Sequence, residues 1–244
     1  MIAIVMFHLD DSLLERVNPA SESFWSKLKK QKQKYAKVRK FISSMKLRGI
    51  TGAATGSVLF KQKFIDISDN TLKKIIYRHM PKEYQETGIA GNKLRSVYFY
   101  DRERPSISKR VFNSSSFKNI RTKVHELAQE YVSKNMPELL TTFNELFPIN
   151  ELRYIFASMY TAGRRDVINI HQDVVSFFTI VISIEGDYKE PDGNCFHLSP
   201  TMQTTDGKVY RLQNGDALLF ERHYHYIPAV QDRQQDRLSL VFLY

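Results

Sequence analysis

Residues 215–242 read GDALLFERHYHYIPAVQDRQQDRLSLVF. Two apolar runs of strand length, Ala217–Phe220 and Leu238–Leu243, flank a stretch that carries His223 and His225. Asn214-Gly215-Asp216 ahead of the first run is a turn signal, and Asp232-Arg-Gln-Gln-Asp236 ahead of the second reads as an exposed loop. The same texture extends back to Asn150. Leu152–Met159, Phe177–Ile184, Cys195–Leu198, Lys208–Leu212 and Tyr224–Val230 are strand-like. Tyr160–Gly163, Pro191-Asp-Gly193 and Asp206-Gly207 punctuate them. Many short strands with turns between them imply a sandwich or a barrel.

Before Asn150 the chain is helix-rich. Phe24, Trp25, Leu28, Tyr35, Val38, Phe41, Ile42 and Met45 recur at helical spacing. They predict an amphipathic helix with Ser21 as N-cap and Gly49 as stop. Gly49–Gly56 reads as a small-residue loop without a phosphate-binding pattern. Thr71–His79 reads as a helix ending before Pro81, Glu86–Lys93 as a loop and Leu94–Tyr100 as a strand. Asp101–Ser116 reads as a surface loop. Helices are expected over Ile120–Asn135 and Pro137–Phe147, the second with proline at its start. No linker of disordered composition divides the chain. The expected class is α+β in one domain, with residues 1–150 helix-rich and 151–244 forming the β core.

The 244 residues hold one cysteine, Cys195. That excludes an internal disulfide framework and a cysteine-based zinc site, and it points to a reducing, intracellular compartment, cytoplasmic or nuclear. No run approaches the ~20 apolar residues that cross a bilayer. Met1–Phe7 lacks a basic flank and reads as a short strand rather than a signal peptide. No membrane partner is expected.

The formal net charge is +10, and its distribution is uneven. Ser23–Ile65 contains 12 of the 36 Lys and Arg and none of the 26 Asp and Glu, so the remainder nets −2. Most of the excess lies in Lys27–Lys40, with Lys29, Lys30, Lys32 and Lys34 between the apolar positions. Such a face suits phosphates or acidic partners, and it equally suits a solvated helix surface.

The chemistry-bearing motif is His171-Gln172-Asp173. On an extended strand, residues two apart point to one face, so the imidazole and the carboxylate can reach one ion. A third ligand from His223 or His225 would complete two histidines and one carboxylate. That set leaves three open positions on a non-haem Fe(II).

The order is Tyr160-x-x-Gly163, His171-x-Asp173, Gly215-Asp216-x-x-x-Phe220, His225, Arg237. It resembles the 2-oxoglutarate- and Fe(II)-dependent dioxygenase superfamily, closest to its prolyl-4-hydroxylase-like and Tet- and J-binding-protein-like members. The resemblance covers Leu152–Tyr244. It implies a double-stranded β-helix (jelly-roll) core. It implies His171, Asp173 and His225 as Fe(II) ligands, with His223 the alternate. It implies Arg237 as the partner of the far carboxylate of 2-oxoglutarate, on the same barrel wall as the distal histidine. Ser239, two residues on and facing the same way, is placed to add a hydrogen bond, and the resemblance implies that Tyr160 touches the cosubstrate. A guanidinium forks onto a carboxylate with two charge-assisted bonds, which fits the Arg237 assignment. Arg233, in the polar loop, is the competing arginine.

The implied activity is hydroxylation of a macromolecule with O2 and 2-oxoglutarate. The basic segment favours a nucleobase in DNA or RNA, with Tyr98, Tyr100 or Tyr226 available to stack on it. The C-terminal pattern favours a protein prolyl or other side chain. A metal-binding cupin-like module without need of Arg237, and a plain nucleic-acid-binding protein, are the other classes the residues allow.

Overall fold

A computed structural model describes residues 26, 29–30, 32–33, 36–37, 39–45, 58–68, 70–86, 93–101, 113–147, 154–161, 168–173, 176–186, 195–203, 207–221, 223–228 and 235–244. The expected N-terminal strand, the Ser21 cap, Trp25, Lys34, Gly49–Gly56 and Arg233 lie outside them. The described residues from 26 to 45 are helical. Downstream come β1 (Val58–Lys61), α1 (Thr71–His79), β2 (Gln85–Glu86), β3 (Lys93–Asp101) and α2 (Ser115–Asn135). A 3-10 turn (Pro137–Leu139) leads into α3 (Leu140–Leu146). The β-rich part holds β4 (Tyr154–Tyr160), β5 (Ile168–His171), β6 (Phe178–Glu185), β7 (Cys195–Ser199), β8 (Lys208–Arg211), β9 (Ala217–Glu221), β10 (Tyr224–Ile227) and β11 (Arg237–Leu243).

Several boundaries differ from expectation. The expected loop up to Ser116 ends sooner, because Ser114 caps α2 by accepting a hydrogen bond from Phe117 N at 3.4 Å, with Phe117 buried beneath it. The expected helix from Pro137 opens as a 3-10 turn. Strand β10 stops at Ile227, before Pro228, which has no N–H to give a ladder. Strand β8 stops at Arg211, one residue short of Leu212. Glu86 and Lys93, expected in a loop, pair with each other at the start of the β2–β3 ladder.

Two antiparallel sheets form, ordered β1-β9-β6-β11-β4-β3-β2 and β5-β10-β7-β8. In the larger sheet, period-two alternation splits the side chains cleanly. Ile180, Ile182, Leu219, Leu238, Leu240 and Phe242 face α2 and α3, joining Phe117, Val124, Tyr131 and Phe143 in one core. Val181, Leu218, Phe220, Val241 and Leu243 face the smaller sheet, where they meet Phe196, Leu198 and Ile227. The fold is an α+β jelly roll with its helices on the outer face of the larger sheet. Strand β11 is buried along its whole length, which is why Leu238–Leu243 reads as a continuous apolar run rather than an alternating one.

The pairings stack the inward side chains into rows. Phe220, Thr179, Leu243 and Tyr154 are successive cross-strand neighbours. The next row is Leu218, Val181, Val241, Phe156 and Tyr98. The row after that is four serines, Ser183, Ser239, Ser158 and Ser96. Arg237 then lies opposite Tyr160 at the far end.

The Gly215-Asp216 pair has a structural task. Asp216 accepts hydrogen bonds from Lys63 N and Gln213 N, both at 2.8 Å, so one buried carboxylate ties the β8–β9 turn to the segment after β1. Gly215 has φ +90°, and a Cβ there would lie 2.4 Å from the backbone oxygen of Ile65. Both facts require glycine. Gly215→Ala should therefore lower stability by about 2–3 kcal/mol, the cost of a strained backbone position. The check is a urea unfolding midpoint that falls with an unchanged slope.

Candidate metal centre

Strand β10 lies between β5 and β7, and its register sets His225 directly opposite His171. The two imidazole centroids are 4.0 Å apart. Strand β5 ends at His171, so Asp173 is not on the same strand face, as the period-two reading expects. Asp173 instead sits on the crossing to β6 and turns its carboxylate back between the rings. Its Oδ1 is 3.7 Å from His171 Nε2, and its Oδ2 is 3.7 Å from His225 Nε2. The three donor atoms lie within 4.8 Å of one another.

Each ring is oriented by its other nitrogen. His171 Nδ1 is 2.8 Å from Asn169 O, and His225 Nδ1 is 3.1 Å from His223 O. A carbonyl can only accept, so both Nδ1 atoms carry a proton and both Nε2 atoms are turned into the centre. Burial pushes the His225 imidazole down to about 4, against the opposing pull of Asp173. At neutral pH it is an uncharged donor, as a metal requires. His223 is buried but outside this trio; its Nδ1 contacts Glu221 O.

Thr179 was not singled out from the sequence. Its hydroxyl donates to Asp173 Oδ2 at 2.6 Å, and Ser176 Oγ lies 3.3 Å from the same hydroxyl. Thr179 is almost fully buried on β6. It fixes the one donor that no strand positions. The signal that could have revealed it is the hydroxyl at every fourth position, Thr179 and Ser183, in the otherwise apolar run Phe177–Ile184.

Arg237 begins β11 with no surface in water. Its Nη1 donates to Cys195 O on β7 at 2.7 Å, and its guanidinium carbon is 5.4 Å from the centre of the Tyr160 ring. It thus reaches from the larger sheet across to the smaller one. The expected placement on the same wall as the distal histidine is wrong. His225 belongs to the smaller sheet and Arg237 to the larger, because the chain changes sheet between β10 and β11. Outside the barrel, Tyr77 on α1 donates to Glu185 at 2.7 Å, and Lys73 pairs with the same carboxylate, bracing the strand ends beside Arg237. Burial and these acidic neighbours push the Tyr77 phenol upward.

The serine row lies between Arg237 and the trio. Ser158, Ser183 and Ser239 are buried, and Ser239 Oγ has no hydrogen-bond partner among the described residues. A buried hydroxyl without a partner costs about 1–3 kcal/mol. Small polar side chains over a buried guanidinium fit an elongated dicarboxylate, and two imidazoles with one carboxylate fit a divalent ion with open positions. Of the expected stacking residues, Tyr98 faces the barrel interior. Tyr100 is turned to the helix side by a bulge after Tyr98, and Tyr226 stacks on His197 at 4.4 Å. Lys29, Lys30 and Lys32 are exposed.

No protein-family profile matches the chain, and no curated protein does. Solved structures do. A prolyl-4-hydroxylase from Pseudomonas putida is 11% identical, with a TM-score of 0.51, over 77% of this chain and 91% of its own. The protein OsALKBH1 is 15% identical, with a TM-score of 0.50, over 77% of this chain and 98% of its own. The chain shares their fold. At these identities the likeness concerns architecture, and the residues of this chain carry the rest.

Thr179→Val should weaken binding of a divalent ion about tenfold, in the range typical for partners that orient a ligand. Thr179→Ser, which keeps the hydroxyl, should restore it. His225→Ala should lose the ion and His223→Ala keep it. Competition with a chromogenic chelator measures all four, and equal affinities for the His223 and His225 variants would refute the assignment.

Proposed function

We propose that the chain is a 2-oxoglutarate-dependent Fe(II) dioxygenase. The observation that carries this reading is the convergence of His171 Nε2, Asp173 and His225 Nε2 at one end of a jelly roll whose far end holds a buried arginine. His171, Asp173 and His225 hold the iron, Arg237 takes the far carboxylate of the cosubstrate, and Ser239 and Tyr160 line its path. When bound, iron and 2-oxoglutarate together supply O2 activation, yielding succinate, CO2 and a hydroxylated substrate. The protein's own work is orientation and exclusion of water. Backbone carbonyls hold both imidazoles in the donor tautomer, Thr179 holds the carboxylate, and apolar Val181, Leu218, Phe220, Val241 and Leu243 keep the interior dry.

The substrate is a macromolecule, and a nucleobase in DNA or RNA is the favoured class. Support comes from the acid-free basic segment, whose Lys29, Lys30 and Lys32 are exposed. Hydroxylation of a protein side chain is the second reading, favoured by the prolyl-hydroxylase-like order of the C-terminal motifs.

The test is succinate formation with iron and 2-oxoglutarate, screened with oligonucleotides and with peptides. His171→Ala and Asp173→Ala should abolish it. Arg237→Leu should raise the apparent KM for 2-oxoglutarate about a few hundredfold or more, because losing one partner of a buried pair costs roughly 3–5 kcal/mol. Arg237→Lys should raise it less, since charge remains and only the fork is lost. A KM unmoved by both changes would sink the cosubstrate assignment.

The charge reading has its own check. Replacing Lys29, Lys30, Lys32 and Lys34 with Gln should weaken nucleic-acid binding. It should also flatten the slope of log affinity against log salt by about 3–4 if all four contact phosphate, since each lost phosphate contact removes ~0.7–0.9 of slope. An unchanged slope would show that these lysines face water only.

A further inference from the structure

Tyr98 is 41% exposed although it sits on the interior face of the larger sheet. Its cross-strand neighbour is Phe156, with ring centroids 5.3 Å apart and planes tilted by 34°. Tyr154 closes the group edge-on, 6.3 Å from Tyr98. The exposure follows from the mismatch in sheet width. The smaller sheet sits toward the β1 side, since Tyr210 on β8 meets Phe60 on β1 and Phe196 on β7 meets Phe220 on β9. Its opposite edge is β5, and it has four strands against the seven of the larger sheet.

This aromatic ledge lies at the metal end of the barrel. Tyr154 is in the same row as Thr179, two strands away, about 10 Å at ordinary strand spacing. Thr179 is the residue that holds Asp173. The basic helix reaches the same end from the outer face of the larger sheet. Phe41 packs edge-on against Phe177 at 4.9 Å, and Phe177 follows Asp173 by four residues. Arg39 and Lys40, beside Phe41, are exposed, as are Lys29, Lys30 and Lys32.

We infer that the ledge formed by Tyr98 and Phe156 receives an unpaired base of a single-stranded nucleic acid whose phosphates run onto the basic helix. The inference rests on the oxygenase reading and names the substrate class for that site. An aromatic face stacks any base, whereas exposed cations hold the backbone without regard to sequence. A paired base would offer the ledge only its edge. An acidic peptide would also meet the cations but brings no ring with each charge, so the ledge and the cations together favour the nucleic acid.

The experiment titrates the protein, without iron or 2-oxoglutarate, into a short single-stranded oligonucleotide with 2-aminopurine at its centre. Stacking should quench the fluorescence on binding. Tyr98→Ala should weaken binding about tenfold and remove the quenching, in line with the usual cost of losing one base–aromatic stack. Tyr98→Phe should keep both. An oligonucleotide that binds with its fluorescence unchanged overturns the inference, and so does a Tyr98→Ala protein that quenches like the parent. Binding of a peptide that is weakened by Tyr98→Ala, with no oligonucleotide bound, overturns it in favour of a protein substrate. Quenching without succinate formation in any assay supports the ledge and removes the oxygenase reading. Succinate formation with an unquenched probe does the reverse.

Discussion

Strand β11 has a neighbour on each side and is buried on both faces, and the placement of every interior group depends on its register. A slip of one residue against β4 would turn Arg237 and Ser239 toward the helices and push Leu238 and Leu240 into the polar interior. Both errors bury a mismatch, so the register is strongly specified. The alternation of Arg237, Ser239, Val241 and Leu243 grades the barrel from charged through hydroxylic to apolar. The metal trio lies at the apolar end. That gradient suits a molecule with a charged tail and a reacting head.

The trio itself is assembled differently. Two donors come from paired strands of the smaller sheet, where the ladder fixes His171 against His225. The third comes from a crossing between sheets and borrows its rigidity from Thr179 on the larger one. A hydrogen bond to a carboxylate is among the stronger kinds, and in a buried setting it is poorly screened. The carboxylate is thereby held by the same sheet that carries Arg237. The two ends of the interior share one scaffold.

Much of this was legible in the sequence. The strands of the core announced themselves because a strand buried on both faces is an apolar run, and turn residues set their limits. The order of His171, Asp173 and His225, through its resemblance to a known family, pointed to the three donors that converge in the structure. Strand β5 was not legible. Its four residues include Asn169 and are mostly half-exposed, so neither an apolar run nor alternation marks them. The serine row was not legible either. Ser96, Ser158, Ser183 and Ser239 are ordinary residues in four separate segments, and only the pairing of those segments makes them one row. The sheet assignment of Arg237 was lost for the same reason: a connection that leads to the other sheet looks no different in sequence from one that returns to its own.

The way Asp173 bridges the sheets also has a mechanical side. Two donors on one layer and a third anchored to the other make any bound ion a rivet between the layers at the mouth. Force applied to prise the layers apart there would load the ion before it loaded the ladders. Such a rivet stabilises the closed barrel in proportion to the logarithm of ion concentration over its dissociation constant. The mouth is then the part of the barrel whose stiffness the metal concentration would set, while Tyr77 and Lys73 brace the other end without an ion.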